Sequence, residues 1–296
     1  QLLLGPLLMH NFNLVHMRIQ LLVGRWLWTE FCSLAQEKVM SDPRIDVIGI
    51  GNAIVDILVH ADDDLLVSEG MTKGAMTLID ADEAKRLYEK TDGAIECSGG
   101  SAANTIAGLA SLGGSGVFVG KVHNDRMGEV FRNDIHAIGV SYDTLPTVSG
   151  PPTATSMVLV TPDAKRTMQT FLGACVDLGP EDIDLEQIAD AEITYLEGYL
   201  WDPPAAKEAF LKAADAAHQA GRKVSLSLSD PFCVDRHRED FLDLAEHHVD
   251  ILFANEEEIM TLYQVENFND ALQAVRSHCE PPAGHQIGRA SCRERA

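Results

Sequence analysis

The sequence predicts an α/β protein with a mostly parallel sheet and a smaller second sheet. Short runs rich in β-branched residues alternate with Ala-rich helical patterns from Ile45 to Cys279, the order expected of a βαβ chain. Those runs lack polar alternation, as strands do when helices cover both of their faces. Four further segments do alternate polar with apolar residues and therefore keep one face in water.

In chain order, the main-sheet strands are expected at 45–51, 116–120, 193–198, 223–228 and 250–254. The alternating segments are 53–60, 74–79, 153–160 and 166–172, the last two flanking the turn Thr161-Pro162-Asp163-Ala164-Lys165. They predict a small antiparallel sheet placed as a lid over a site. One helix is expected from near Ser101 to Gly113-Gly114, with Ile106, Leu109, Ala110 and Leu112 on its apolar face. Another is expected to start at Asp202-Pro203, an N-cap with Pro at the first helical position, and to run to Gly221. Its Ala206, Phe210, Ala213 and Ala217 recur at helical spacing and read as core.

Charge narrows the partners. The 296 residues carry 23 Lys and Arg against 45 Asp and Glu, a net charge of −22. Such acidity excludes a broad nucleic-acid face or docking onto an anionic membrane, both of which need clustered cations. A phosphate ligand would have to be held by backbone N–H groups, a metal or a few local cations. Six cysteines without C-x-x-C spacing read as reduced thiols, buried small hydrophobes at Cys97, Cys175 and Cys233, and point to the cytoplasm.

The ends differ from the middle. Residues 1–39 are broken apolar runs without a membrane-length stretch, and Met40 opens MSDPRIDVIGIGN. They are expected to be non-native upstream sequence. Residues 281–296 lack apolar periodicity, and IGRASCRERA resembles a translated sequencing adapter. The expected native body, 40–280, holds 17 basic against 42 acidic residues, a net of −25.

Three loops could hold a ligand. Gly49-Ile50-Gly51 follows a strand, but Ile54 replaces the third glycine of a dinucleotide fingerprint and another strand follows. Gly114–Val122 lacks the glycine and the Ser or Thr of a P-loop. The informative loop is Cys97-Ser98-Gly99-Gly100-Ser101-Ala102-Ala103-Asn104-Thr105. Its glycines let a polar ligand approach free helix N–H groups, Ser101 can cap the helix, and Asn104 offers a donor and an acceptor. The other reading of this loop is a turn that caps an ordinary helix. Upstream, Asn52 and Asp56 fall on one strand face, where the carboxylate could accept vicinal hydroxyls or, as an edge-strand acid, face water. Downstream, Asn255 and Glu258 have capping-box spacing and could also order magnesium through water.

With IGIGNAIVDI (48–57), SGGSAANT (98–105), VGKVHNDRMG (119–128), LSDPF (228–232) and VDILFANEEE (249–258), the chain resembles the ribokinase/pfkB family of carbohydrate kinases, most closely its adenosine-kinase branch. The resemblance implies a three-layer α/β/α ribokinase-like domain with a β lid near 53–60, 74–79 and 153–172. It implies phosphorylation by ATP and Mg2+ of a primary hydroxyl on a ribose-like ring, adenosine to AMP being the leading expectation. The alternatives are a ribose- or fructose-type sugar kinase and a non-catalytic nucleoside-binding protein. Carried over, Asn52, Asp56, Gly99, Gly100, Ser101 and Asn104 would hold the nucleoside or sugar, Asn255 the nucleotide side, and Glu258 the metal through water. A homodimer joined through the lid is an expected assembly. The family's catalytic base is an Asp in a later Gly-Ala-Gly-Asp motif, which does not occur in these 296 residues. The C-terminal part of the fold is therefore expected to be missing, and the chain as written to be inactive.

Overall fold

The computed structural model describes residues 44–278 except Asp92. The expectations for 1–39 and 281–296 lie outside the described residues.

β1 (Ile45–Ile50) leads through Gly51–Ala53 into β2 (Ile54–His60), which belongs to the other sheet. α1 (Asp63–Ser68), β3 (Met76–Leu78), α2 (Ala81–Tyr88) and β4 (Ile95–Gly99) follow. The chain then returns through α3 (Ser101–Ser111) to β5 (Gly116–Val119), and α4 (Arg126–Ala137) leads to the hairpin β6 (Ala154–Val160) and β7 (Arg166–Phe171). The remainder alternates: α5 (Leu185–Asp190), β8 (Ala191–Glu197), α6 (Pro204–Gln219), β9 (Lys223–Ser227), α7 (Pro231–Arg236), α8 (Arg238–His247), β10 (Ile251–Phe253), α9 (Glu256–Tyr263) and α10 (Phe268–His278). Local chemistry sets many of the helix starts. Asp62, Asp80, Asp125, Asp184 and Asp230 each cap a helix by accepting a backbone N–H two or three residues on.

The main sheet is parallel, in the order β10-β9-β8-β1-β5. Ile48, Ile50, Val119, Leu196 and Leu226 point to one face and pack with Phe210, Ala213, Phe241 and Leu262 of the helices there. Phe118 and Tyr195 point to the other face, under Ile106 of α3. This second core continues into the second sheet through Val55, Ile57, Met157 and Leu159, with Phe131 and Ile135 of α4. One apolar cluster therefore bonds the two sheets together.

Four corrections follow from the packing. The second sheet, ordered β3-β7-β6-β2-β4, is mixed rather than antiparallel: β2 pairs parallel with β6 and β3 parallel with β7. Between β2 and β6 the chain visits the main sheet and re-enters from the same side, so only the β6–β7 hairpin and the β2–β4 pair reverse direction. Residues 97–99, expected in a loop, form the end of β4, because β2 supplies hydrogen-bond partners for them. Asp202 does not cap α6, whose N-cap is Pro203; it binds Arg236 and His237 instead. Leu112, expected on the buried face of α3, is 88% exposed.

No described helix is long and apolar enough to cross a membrane.

Phe131 is fully buried, with its ring 5.7 Å from Phe118 and 5.3 Å from Tyr142. Phe131→Ala should lower unfolding free energy by about 3–5 kcal/mol in urea titrations, whereas Val67→Ala, on the surface, should stay within about 0.5 kcal/mol.

Candidate functional site

The C-terminal ends of parallel strands leave free backbone groups and loops on one side of a sheet, where ligands of open α/β folds bind. Here Asn52 follows β1, Glu197 ends β8, Asp230 lies beyond β9 and Asn255 beyond β10. The chain also crosses between the sheets on this side, at Gly51–Ala53 and again at Gly99–Ser101.

Glu197 joins these two crossings. It is 2% exposed. Its Oε2 accepts the Asn52 N–H and the Ala102 N–H, each at 3.1 Å, and its Oε1 accepts Asn52 Nδ2 at 3.3 Å. A Cβ on Gly51 would collide with this carboxylate, and one on Gly100 would collide with the Asn52 carbonyl. Gly100 also takes φ +98°, a conformation that favours glycine. Gly100, not Ser101, is the N-cap residue of α3, and no side chain caps that helix. Its first turn thus leaves the Ala102 N–H for Glu197. Burial, outweighing the three hydrogen bonds, pushes the Glu197 carboxyl up to about 7. Sequence reasoning passed over Glu197; the available signal was an acid closing an otherwise apolar strand, Ile193-Thr194-Tyr195-Leu196-Glu197.

Asp56 sits inside the second sheet, since β2 lies between β4 and β6. It is not an edge-strand acid facing water. Its carboxylate lies against Gly99, where any side chain would displace it. Burial raises the carboxyl to about 6, against the opposing pull of Arg166. Across the sheet Asp56 pairs with Ser156, Ser156 with Thr170, and Thr170 with Leu78, so these four share one face. Ser156 and Thr170 are joined by a hydroxyl–hydroxyl bond of 2.8 Å. Beyond them opens an apolar cavity of about 330 Å³, lined by Leu78, Ile79, Pro151, Thr170, Phe171 and Val176 among others.

The sequence-predicted residues thus fall into two groups. Asn52, Asp56, Gly99, Gly100 and Ser101 come together at the crossings, with Asn104 exposed one turn into α3. Asn52, expected among the residues that hold the nucleoside or sugar, is buried with its Nδ2 on Glu197. Asn255 and Glu258 lie across the sheet at the start of α9 and form the expected capping box. Glu258 N–H donates to Asn255 Oδ1 at 2.8 Å, and the Asn255 N–H and Nδ2 donate to the Glu258 carboxylate. Burial raises the Glu258 carboxyl, and Asp230 and Glu257 push it further up. Cys175 and Cys233 are buried as expected; Cys97 is half-buried on β4 beside Asp56.

A profile for pfkB family carbohydrate kinases matches residues 75–281. The crystal structure of a probable sugar kinase from Rhizobium etli CFN 42 is 52% identical, with a TM-score of 0.74 over 80% of this chain and 72% of that one. An adenosine kinase structure from Sinorhizobium meliloti is 51% identical, with a TM-score of 0.73 over 80% and 72% of the two chains. Among curated proteins, the probable chloroplastic fructokinase-6 of Arabidopsis thaliana is 29% identical over 210 residues, 69% of this chain and 52% of its own. The chain thus spans about half the length of that relative.

The two raised carboxyls bind protons more tightly folded than unfolded, so each lowers stability as pH rises through its window: about 4 to 6 for Asp56 and about 4.5 to 7 for Glu197. For Glu197 the loss is on the order of 3 kcal/mol. Urea titrations should show Glu197→Gln gaining about that much relative to the unaltered chain between pH 4.5 and 8. A pH-independent difference would mean that the carboxyl titrates normally.

Proposed function

The chain belongs to the pfkB family of carbohydrate kinases, and on that premise we propose that its site takes adenosine for phosphorylation by ATP to AMP. The observation that carries this reading is the row Asp56–Ser156–Thr170–Leu78, which runs from a carboxylate to an apolar cavity. Asp56 accepts the vicinal hydroxyls of a ribose, a hydrogen-bonding role that its ionised form fills best. Gly99 leaves room for the Asp56 carboxylate itself, and Gly100, Ser101 and Asn104 border the ring at the start of α3. Strands about 4.8 Å apart place the near wall of the cavity, at Thr170, two strand spacings from Asp56, within reach of the base of a nucleoside whose ribose leans from Asp56 toward it. A free sugar would leave that cavity unfilled.

Asn255 and Glu258 would take the nucleotide side. Glu258 is buried among acids, and a carboxylate already holding two N–H groups keeps lone pairs for water, which fits magnesium bound through its hydration shell. Magnesium, when bound, neutralises charge on the phosphates. Proton removal from the attacking hydroxyl needs a base, and the family's Gly-Ala-Gly-Asp motif does not occur in this sequence. The 296-residue chain is therefore proposed to bind without efficient turnover. A cytoplasmic setting belongs to the same reading, supported by the free thiols of Cys97, Cys175 and Cys233. So does a homodimer through the second sheet, supported by exposed Met76, Leu78 and Ile95 on the Asp56 face.

The second reading, a sugar kinase, is favoured by the 52% identity to the probable sugar kinase. Calorimetry separates the two: adenosine should bind at least about tenfold more tightly than ribose or fructose, and the reverse order would establish the sugar reading. Asp56→Asn should weaken adenosine about 10- to 100-fold, the loss of hydrogen bonds to a charged acceptor. ADP release should stay at background; turnover would show that another group supplies the base. Light scattering should show a dimer that Met76→Glu weakens.

A further inference from the structure

The three contacts to Glu197 are all N–H donors, the arrangement that an ionised carboxylate accepts. They come from both crossings, two from Asn52 and one from the first turn of α3. The slot exists because Gly51 lacks a Cβ, and the Asn52 carbonyl packs on Gly100. Among the described residues, the hydrogen bonds of Glu197 all go to Asn52 and Ala102, and the side chain is buried. We propose that Glu197 is a positioning residue: its carboxylate pins the two chain crossings into one joint, and so fixes Asn52 and the start of α3 against the substrate that Asp56 receives. The substrate part of this statement rests on the reading of the cleft given above, whereas the pin itself rests on geometry alone.

A protonated carboxyl keeps all three contacts only if Asn52 changes. Its Oε2 can still accept both backbone N–H groups, while a hydrogen on Oε1 faces the Asn52 amide, which must rotate to offer its own oxygen. The Asn52 side chain then presents a different group to its surroundings. The titratable groups facing Glu197 are the thiols of Cys175, in the turn at 173–177, and Cys233 on α7, with the Tyr195 phenol on β8. Burial raises all three, so they stay neutral between pH 6 and 8 and the change in charge there is that of Glu197. The joint therefore opens more easily as pH rises toward about 7, because opening lets the carboxyl ionise in water.

The test measures adenosine and ribose affinity from pH 5 to 8.5 in the full chain and in Glu197→Gln, with amide hydrogen exchange on the same samples. In the unaltered chain, adenosine affinity should change in two steps, rising near pH 6 as Asp56 ionises and falling near pH 7 as Glu197 does. Glu197→Gln should keep the lower step, lose the upper one, and exchange faster at residues 51–53 and 100–102 than elsewhere. Equal affinity and the same two-step profile in the variant would overturn the proposal. If neither ligand binds the unaltered chain, the substrate reading fails, and exchange alone judges the pin. Faster exchange confined to the crossings upholds it, and unchanged exchange overturns it. Should Glu197→Gln fail to fold, protection of the Ala102 amide in the unaltered chain decides. After correction for intrinsic rate it should fall as pH rises from about 5 to 7, because opening releases the buried carboxyl to ionise in water; a flat profile would overturn the pin.

Discussion

A buried carboxylate with three N–H donors around it joins the two places where the chain passes between the sheets. Where a chain passes from one sheet into another, its backbone groups leave one ladder before they join the next, and a buried group left unpaired costs about 1–3 kcal/mol. Here two such passages lie side by side, and Glu197 supplies acceptors to both. The glycines at 51 and 100 follow from this: one makes room for the carboxylate, the other lets the second strand of chain press against the first. Asn52 and the first turn of α3 are tied to that joint, and Asp56 takes its place from the pairing of β2 with β4 and β6.

The acidity of the chain has a structural use that composition alone conceals. Five aspartates are helix caps, each holding a backbone N–H that would otherwise be unpaired. Other acids are buried around the cleft, and burial raises their proton affinity, as for Asp56, Glu197 and Glu258. The cations act elsewhere. Arg126 holds Glu96 and lies over the Tyr88 ring at the outer side of the second sheet, and Lys121 pairs with Asp182 beyond β5. The cleft is therefore built from backbone donors and carboxylates, a surface suited to hydroxyls and hydrated cations more than to bare phosphate.

Much of the architecture was legible because it depends on short-range pattern. Unbroken apolar runs marked the five parallel strands, alternation marked β2, β3, β6 and β7, and the capping box at Asn255 was visible in residue types and spacing. β4 was not legible, because Ile95-Glu96-Cys97-Ser98-Gly99 has a weak local preference and becomes a strand by pairing with β2, about forty residues earlier. The direction of β6 relative to β2 was likewise hidden, since it depends on the route that the chain takes through the main sheet. Leu112 misled because helical spacing placed it on the apolar stripe, whereas α3 ends at Ser111 and leaves it on the surface.

The sequence by itself determined the fold class, the capping box at Asn255, and the candidate set Asn52, Asp56, Gly99, Gly100, Ser101, Asn104, Asn255 and Glu258, because residue type and spacing carry that information locally. Only the tertiary structure decided which of these meet, and that Asn52 faces Glu197 across 145 residues. It also turned Asp56 from a strand acid of uncertain exposure into a buried group beside an apolar cavity. The physical reason is burial: the behaviour of a carboxylate depends on the water removed from around it and on the donors brought to it, and both are set by chain segments far away in sequence.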